Sequence, residues 1–113
     1  MKQPPAHAIA EVCAAEFGLE VEDLYDRRRS EPIATARGIA MFVMMGLLGF
    51  TGKEAGKPFS RCTHDASHYT RKIRWQIANG MWMRERVKRV CCRLPEDVRG
   101  EIVKRGYRTG KQT

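Results

Sequence analysis

Long apolar runs are missing from this chain. The most apolar stretch, residues 39–50 (IAMFVMMGLLGF), has 12 residues; it is too short to span a bilayer and reads as a buried helix. The N-terminus, MKQPPAHAIAEV, lacks an unbroken apolar stretch after its basic residue, so a secretory signal is not expected there. The four cysteines, Cys13, Cys62, Cys91 and Cys92, include no C-x-x-C pair. Vicinal cysteines do not readily bridge each other, which disfavours a disulfide framework and fits reduced thiols inside a cell. No paired carboxylates, glycine-rich phosphate loop or nucleophile constellation stands out, so neither an enzyme nor a cofactor is expected. Strands are not signalled either, because β-branched alternation is absent.

What is present is length for one domain and an uneven positive charge. At 113 residues the chain can bury a modest core without metal or disulfide. Its formal net charge is +8. Residues 1–56 hold 6 Lys/Arg against 8 Asp/Glu, a net of −2, and residues 57–113 hold 15 against 5, a net of +10. Basic charge gathered in one half points to a polyanionic partner, of which nucleic acid is the commonest. The competing reading is a solvated basic surface with no partner.

Helical periodicity runs nearly throughout. Pro5 opens a helix with a stripe of Ile9, Val12, Cys13 and Phe17, ended by Gly18. A short turn of helix over 21–25 leads into Arg27-Arg28-Arg29-Ser30. Ser30 or Glu31 with Pro32 opens a third helix, its core face carrying Ile33, Ile39, Phe42, Val43 and Leu47 and its end near Gly49. Thr51-Gly52-Lys53-Glu54 spells a capping box for a short helix that Pro58 must stop. After Phe59-Ser60-Arg61 a long helix is predicted over 62–78, with Asn79-Gly80 as its stop. Met83, Val87, Val90, Cys91 and Leu94 stripe the next helix, and Pro95 opens another before a basic tail, RGYRTGKQT.

A short capped helix, a tight turn and a second helix form the layout of a helix-turn-helix. On the second helix, Ala66, Tyr69, Ile73 and Ile77 share the face turned to the core. Thr63, His64, Ser67, His68 and Arg71 lie opposite, a short polar face suited to reading base edges in a major groove. Thr63, His64, Asp65 and Ser67 are therefore the base-reading candidates: Thr63 for a hydrogen bond or a thymine methyl, His64 for guanine, Asp65 for cytosine N4 or, alternatively, a helix cap. Arg27, Arg28, Arg37, Arg61, His68, Arg71 and Lys72 suit phosphates, and Ser60 is expected to cap the second helix and lend its amide to a phosphate. The alternative for the loop arginines is pairing with Asp23 and Asp26. Cys62, His64 and His68 hint at zinc but lack a fourth ligand in the sequence, so no metal is expected. Trp75 and Trp82 could stack on bases, but at these helical positions they are assigned to core packing, and Cys91 and Cys92 to a buried thiol beside an exposed one.

Several of these segments resemble a known family, the C-terminal DNA-binding domain of the bacterial chromosomal replication initiator DnaA. The similarity runs from Ile9 to about Ile77. FGLEVEDLYDRRRS looks like that family's V-x-D-L turn and basic loop. Arg28-Arg29-Ser30 and then Ala36-Arg37-Gly38-Ile39-Ala40-Met41-Phe42 follow its R-R-S and P-R-Q-I-A-M-Y. Thr51 to Phe59 follow its S-x-x-E-I-G-x-x-F, and Ser60 to Ile73 its G-G-R-D-H-T-T-V-L-H-A-C-R-K-I. The chain departs in three places: the turn is one residue shorter, the Asp-His-Thr-Thr that reads bases in the family is Cys62-Thr63-His64-Asp65, and the glutamine after the arginine is Gly38.

The resemblance implies an all-α helix-turn-helix fold of the Trp-repressor-like kind with an extra C-terminal helix, divided here into a DNA-binding domain at 1–94 and a basic C-terminal helix and tail at 95–113. It also implies that Arg29 enters a minor groove while the long helix occupies the major groove. No G-x-x-x-x-G-K-[ST] loop is present, so these residues are read as a DNA-binding module working alone. The expected function is sequence-specific double-stranded DNA binding as a cytoplasmic, nucleoid-associated transcription or replication regulator. The alternative is an interaction module that keeps the fold and docks a partner protein such as RNA polymerase. The basic extension from about Arg84 onward is read as extra phosphate contact or a docking surface.

Overall fold

The computed structural model describes residues 2–106, so residues 107–113, most of the expected basic tail, lie outside the described residues. The described chain is all helical: α1 (Ala6–Glu16), α2 (Val21–Tyr25), α3 (Ile33–Phe42), α4 (Gly52–Gly56), α5 (Thr63–Asn79), α6 (Met81–Arg93) and α7 (Glu96–Lys104). Wider and tighter turns extend two of them, a π turn at Val43–Leu47 after α3 and a 3-10 turn at Lys57–Phe59 after α4.

Local chemistry sets these boundaries. Pro5 precedes α1, where a missing amide proton costs no helical bond. The Thr51–Glu54 box forms as expected: the Glu54 amide donates to Thr51 Oγ1 at 3.1 Å and the Thr51 amide to Glu54 Oε1 at 2.9 Å. A second box, Glu20 with Asp23, starts α2 and was not anticipated. The third helix ends near Gly49 as expected, but its last turn widens, with the Phe50 amide reaching back to the Met44 carbonyl.

Helix α3 is the central element, packed by α1 on one side and α5 on the other. It is buried along almost its whole length, which accounts for its lack of a polar face. The whole α6 stripe of Met83, Val87, Val90, Cys91 and Leu94 is buried. Val98 and Ile102 of α7 enter the same core cluster as α1 and α3, so the C-terminal helix is packed on the domain. Cys13 and Cys91 are buried, and burial raises both thiols, Cys91 to about 12. Cys92 is exposed, as expected of the pair.

Glu16 at the end of α1 anchors α6. Its side chain is 3% exposed and receives Arg86 at 3.0 Å, Arg89 at 2.8 Å and Arg93 at 3.4 Å. Three arginines spaced at i, i+3 and i+7 on α6 converge on this one carboxylate. The extension's basic charge is thus partly structural.

Candidate nucleic-acid interface

Helices α4 and α5 meet through a turn that small residues make possible. Gly52 and Gly56 lie one turn apart on the α4 face that meets α5. A Cβ on Gly56 would stand 2.5 Å from the Arg61 carbonyl oxygen, and one on Gly52 would stand 2.8 Å from Thr63 Cγ2. A side chain at position 56 would displace the backbone of the turn at Arg61, and one at position 52 would at least force the Thr63 side chain to move. Ser60 turns the chain in the left-handed region, φ 55°, where glycine is the usual residue. Its amide donates to the Lys57 carbonyl at 3.0 Å and the Arg61 amide to the Gly56 carbonyl at 2.9 Å.

Those bonds correct one expectation. Ser60 does not cap the long helix, because Cys62 occupies the cap position, without a side-chain bond, and the Ser60 amide is already engaged in the turn. Helix α5 starts at Thr63 and ends at Asn79, one residue later at each end than predicted. Its inward face carries Ala66 and Ile73 fully buried and Tyr69 and Ile77 partly so. Thr70 is also buried, its hydroxyl donating to Met45 Sδ at 3.5 Å.

On the other side, Thr63, His64, His68, Arg71 and Lys72 are exposed, while Asp65 and Ser67 are half-buried. Thr63 and Ser67 lean toward Gly52. His68 stands edge-on to the Tyr69 ring, and Lys72 Nζ lies 5.9 Å from that ring's centroid. Among the described residues no three His, Cys, Asp or Glu side chains gather as a metal site.

The arginine loop is held against this helix. Arg27, Arg29, Ser60, Arg61, Cys62 and Asp65 line one recess, and Arg61 Nη2 donates to the Arg27 carbonyl at 3.2 Å. Behind the recess the Tyr25 ring stacks on Phe59 at 5.5 Å. The three loop arginines differ. Arg28 is committed to Asp23 at 2.9 Å and Asp26 at 3.4 Å, as the alternative reading held. Arg27 and Arg29 are exposed and make no ion pair among the described residues. A second recess, lined by Lys53, Lys57, Arg61 and Thr63, continues the cationic surface along α4. Lys53 and Lys57 were not singled out from the sequence, although their i, i+4 spacing on the helix before the long one was the signal.

Arg37 is the clear correction. Expected at a phosphate, it is only 1% exposed. Its guanidinium donates to the carbonyls of Leu24 at 2.8 Å, Arg28 at 3.0 Å, Asp26 at 2.6 Å and Asp23 at 3.5 Å. It thereby shapes the loop that presents its neighbours. Burial, and then the nearby Arg61, lower its affinity for the proton from the ordinary arginine value. Gly38, beside it, has a packing cause: a Cβ there would lie 2.8 Å from the Tyr69 ring. The ring fills the space that a side chain at position 38 would need.

A second correction concerns the tryptophans. Neither is a core residue: Trp75 is 66% and Trp82 is 56% exposed.

A short capped helix, a tight turn, a long helix with a polar outward face, and cations around it that make no ion pair among the described residues define a helix-turn-helix DNA-binding domain. The chain belongs to the bacterial dnaA protein helix-turn-helix family, whose pattern it matches over residues 6–73. It is 39% identical over 59 residues to the chromosomal replication initiator protein DnaA of Clavibacter sepedonicus, and equally to that of Clavibacter michiganensis subsp. michiganensis (strain NCPPB 382). Each match covers 52% of this chain and 12% of the relative, so the chain spans a small part of those proteins. No helix among the described residues is long and apolar enough to cross a membrane.

Proposed function

We propose that this protein recognises a particular sequence in double-stranded DNA and acts as a transcription or replication regulator. In this reading the first two turns of α5 lie in the major groove, with His64 and Asp65 toward base edges and Thr63 and Ser67 beside them on the side that leans toward Gly52. Arg29 enters the adjacent minor groove, where a narrow A·T tract concentrates negative potential. Arg27, Arg61, Arg71, Lys72, Lys53 and Lys57 meet phosphates, with His68 beside them. The observation that carries the reading is the joint recess of Arg27, Arg29, Arg61 and Asp65, which sets two exposed loop arginines, without an ion pair among the described residues, beside the start of α5. Selection of bound duplexes from a random pool tests it. Enrichment of one motif is expected, and a pool that stays random removes sequence-specific recognition.

The loop arginines separate by variant. Arg29→Ala should weaken the selected duplex more than random duplex, because a minor-groove arginine reads shape. Arg28→Ala should change little on either, since its guanidinium is already held by two carboxylates. Equal losses for both variants on both duplexes would remove the minor-groove role.

The long helix gives a parallel test. His64→Ala should leave the thermal melt unchanged and forfeit about 1–3 kcal/mol of discrimination at one base pair. Ile73→Ala, on the buried face, should forfeit about 2–5 kcal/mol of stability. A sharp drop in melting for His64→Ala with discrimination intact would mean that α5 is turned the other way.

A further inference from the structure

The chain has only two tryptophans, and both stand in solvent at one corner. Helix α5 ends at Asn79 and α6 begins at Met81, joined by an extended Gly80. Trp75 and Trp82 flank this joint, with Met81, 62% exposed, between them. A cleft of about 180 Å³ opens at the corner, lined by Trp75, Gln76, Asn79, Gly80, Trp82 and Met83. All of these lie beyond residue 73, where the family match stops. Large apolar side chains gathered on a surface generally mark a binding site.

Three observations identify the occupant. First, the surroundings are cationic. No Asp or Glu occurs between Asp65 and Glu85, while Arg71, Lys72, Arg74 and Arg84 fall in that interval and are exposed. Second, His64, His68, Arg71 and Trp75 follow at i, i+4, i+7 and i+11, one stripe of α5. Trp75 thus continues the face assigned to DNA, about 16 Å beyond His64 at 1.5 Å per residue. Third, Trp82 is held in place. The Arg86 guanidinium lies 4.9 Å from its ring centroid and 5.0 Å from that of Phe17, and the same arginine is bonded to Glu16. More than half of the residue is nevertheless exposed.

A fixed indole and a second one across a small cleft, amid arginines and lysines, suit a polyanion that carries flat apolar faces. Bases within a duplex are stacked on one another and offer no free face; unpaired bases do. The cleft falls below the 300–1,000 Å³ or so of a typical small-molecule site, so it takes one ring rather than a whole ligand. A second copy of the chain fits poorly. Each copy carries a net charge of +8, and three apolar side chains fall far short of the roughly 800 Å² per partner of a stable interface.

We propose that the Trp75–Trp82 corner binds single-stranded DNA by base stacking, beside the duplex held by the first turns of α5. The placement beside a duplex rests on the function proposed above; the stacking itself does not. Because both tryptophans sit at this corner, intrinsic tryptophan emission reports on it alone. Titration of the whole chain with a short oligothymidylate at low salt should quench that emission saturably. Trp75→Ser/Trp82→Ser should weaken a fluorescently labelled oligothymidylate, read by anisotropy, by about 10- to 100-fold. The same variant should keep the wild-type circular-dichroism melt and its duplex affinity. Trp75→Phe with Trp82→Phe, which keeps aromatic faces, should restore most of the single-strand affinity. Unchanged single-strand affinity in the serine variant overturns the proposal. So does an emission shift that follows protein concentration alone with a dimer mass by sedimentation, since a second copy would then cover the corner. The two readings fail separately. Duplex binding without quenching sinks the stacking site, and quenching without duplex binding sinks the function proposed above.

Discussion

Arg37→Met should lower the stability of the fold by about 3–5 kcal/mol, the loss expected when one partner of a buried, charge-assisted network is removed. Methionine matches the reach of the arginine stem but donates nothing. The carbonyls of Leu24, Asp26 and Arg28, now gathered by one guanidinium at 2.6–3.0 Å, would lose their common donor in a site where Arg37 itself is 1% exposed. A domain of this size has about 5–15 kcal/mol in total. Each kcal/mol moves its melting temperature by about 4–8 °C, so a fall of more than about 12 °C is expected. Arg37→Lys should fall between, because a single ammonium cannot span the carbonyls that the planar fork spans. The loop should loosen along with the fold, and brief trypsin treatment should cut after Arg27, Arg28 or Arg29 sooner than in the wild-type chain. A methionine variant that melts within a degree or two of wild type would show that the carbonyls find other donors.

The role of Arg37 was not legible in the sequence because its partners are 9–14 residues away and are main-chain atoms. A helix-borne arginine next to a basic loop reads as one more phosphate ligand until the loop is seen folded over it. Local signals were far more legible. Thr51 with Glu54, Pro5, Pro95 and Gly80 placed helix boundaries because capping and proline chemistry act within a few residues. The α6 stripe was correct at all five positions because one apolar face in a one-core domain has one place to go. The assignment of the tryptophans to the core over base stacking is overturned by their exposure, and the wheel carried the answer. Trp75 lies two residues from the buried Ile73, about 200° around the helix, on the stripe of His64 and His68. The Glu16 cluster joins residues about 70 or more apart; the 3–4 spacing of Arg86, Arg89 and Arg93 was visible, their common partner was not.

That division of the arginines into committed and uncommitted groups decides the salt dependence of DNA binding. Each phosphate neutralised releases condensed counterions, so the logarithm of affinity falls against that of salt with a slope of about −0.9 per contact. Net charge alone would overstate the number of contacts. Arg37 serves backbone carbonyls, Arg28 serves Asp23 and Asp26, and Arg86, Arg89 and Arg93 serve Glu16. Arg27, Arg29, Lys53, Lys57, Arg61, Arg71 and Lys72 remain around α4 and α5 without an ion pair among the described residues. With about six of them on phosphates the slope is about −5, and raising salt from about 50 to 200 mM should weaken binding about a thousandfold. Variants sharpen the expectation. Lys53→Ala/Lys57→Ala should make the slope shallower by about 2. Arg89→Ala/Arg93→Ala should leave it unchanged, since those side chains are already paired with Glu16. The measurement is a titration of labelled duplex by anisotropy at four or more salt concentrations, with the protein's melt checked at each. A slope near zero would remove DNA as the partner of this surface. A slope that flattens for the α6 pair but not for the α4 pair would move the interface to the far side of the molecule.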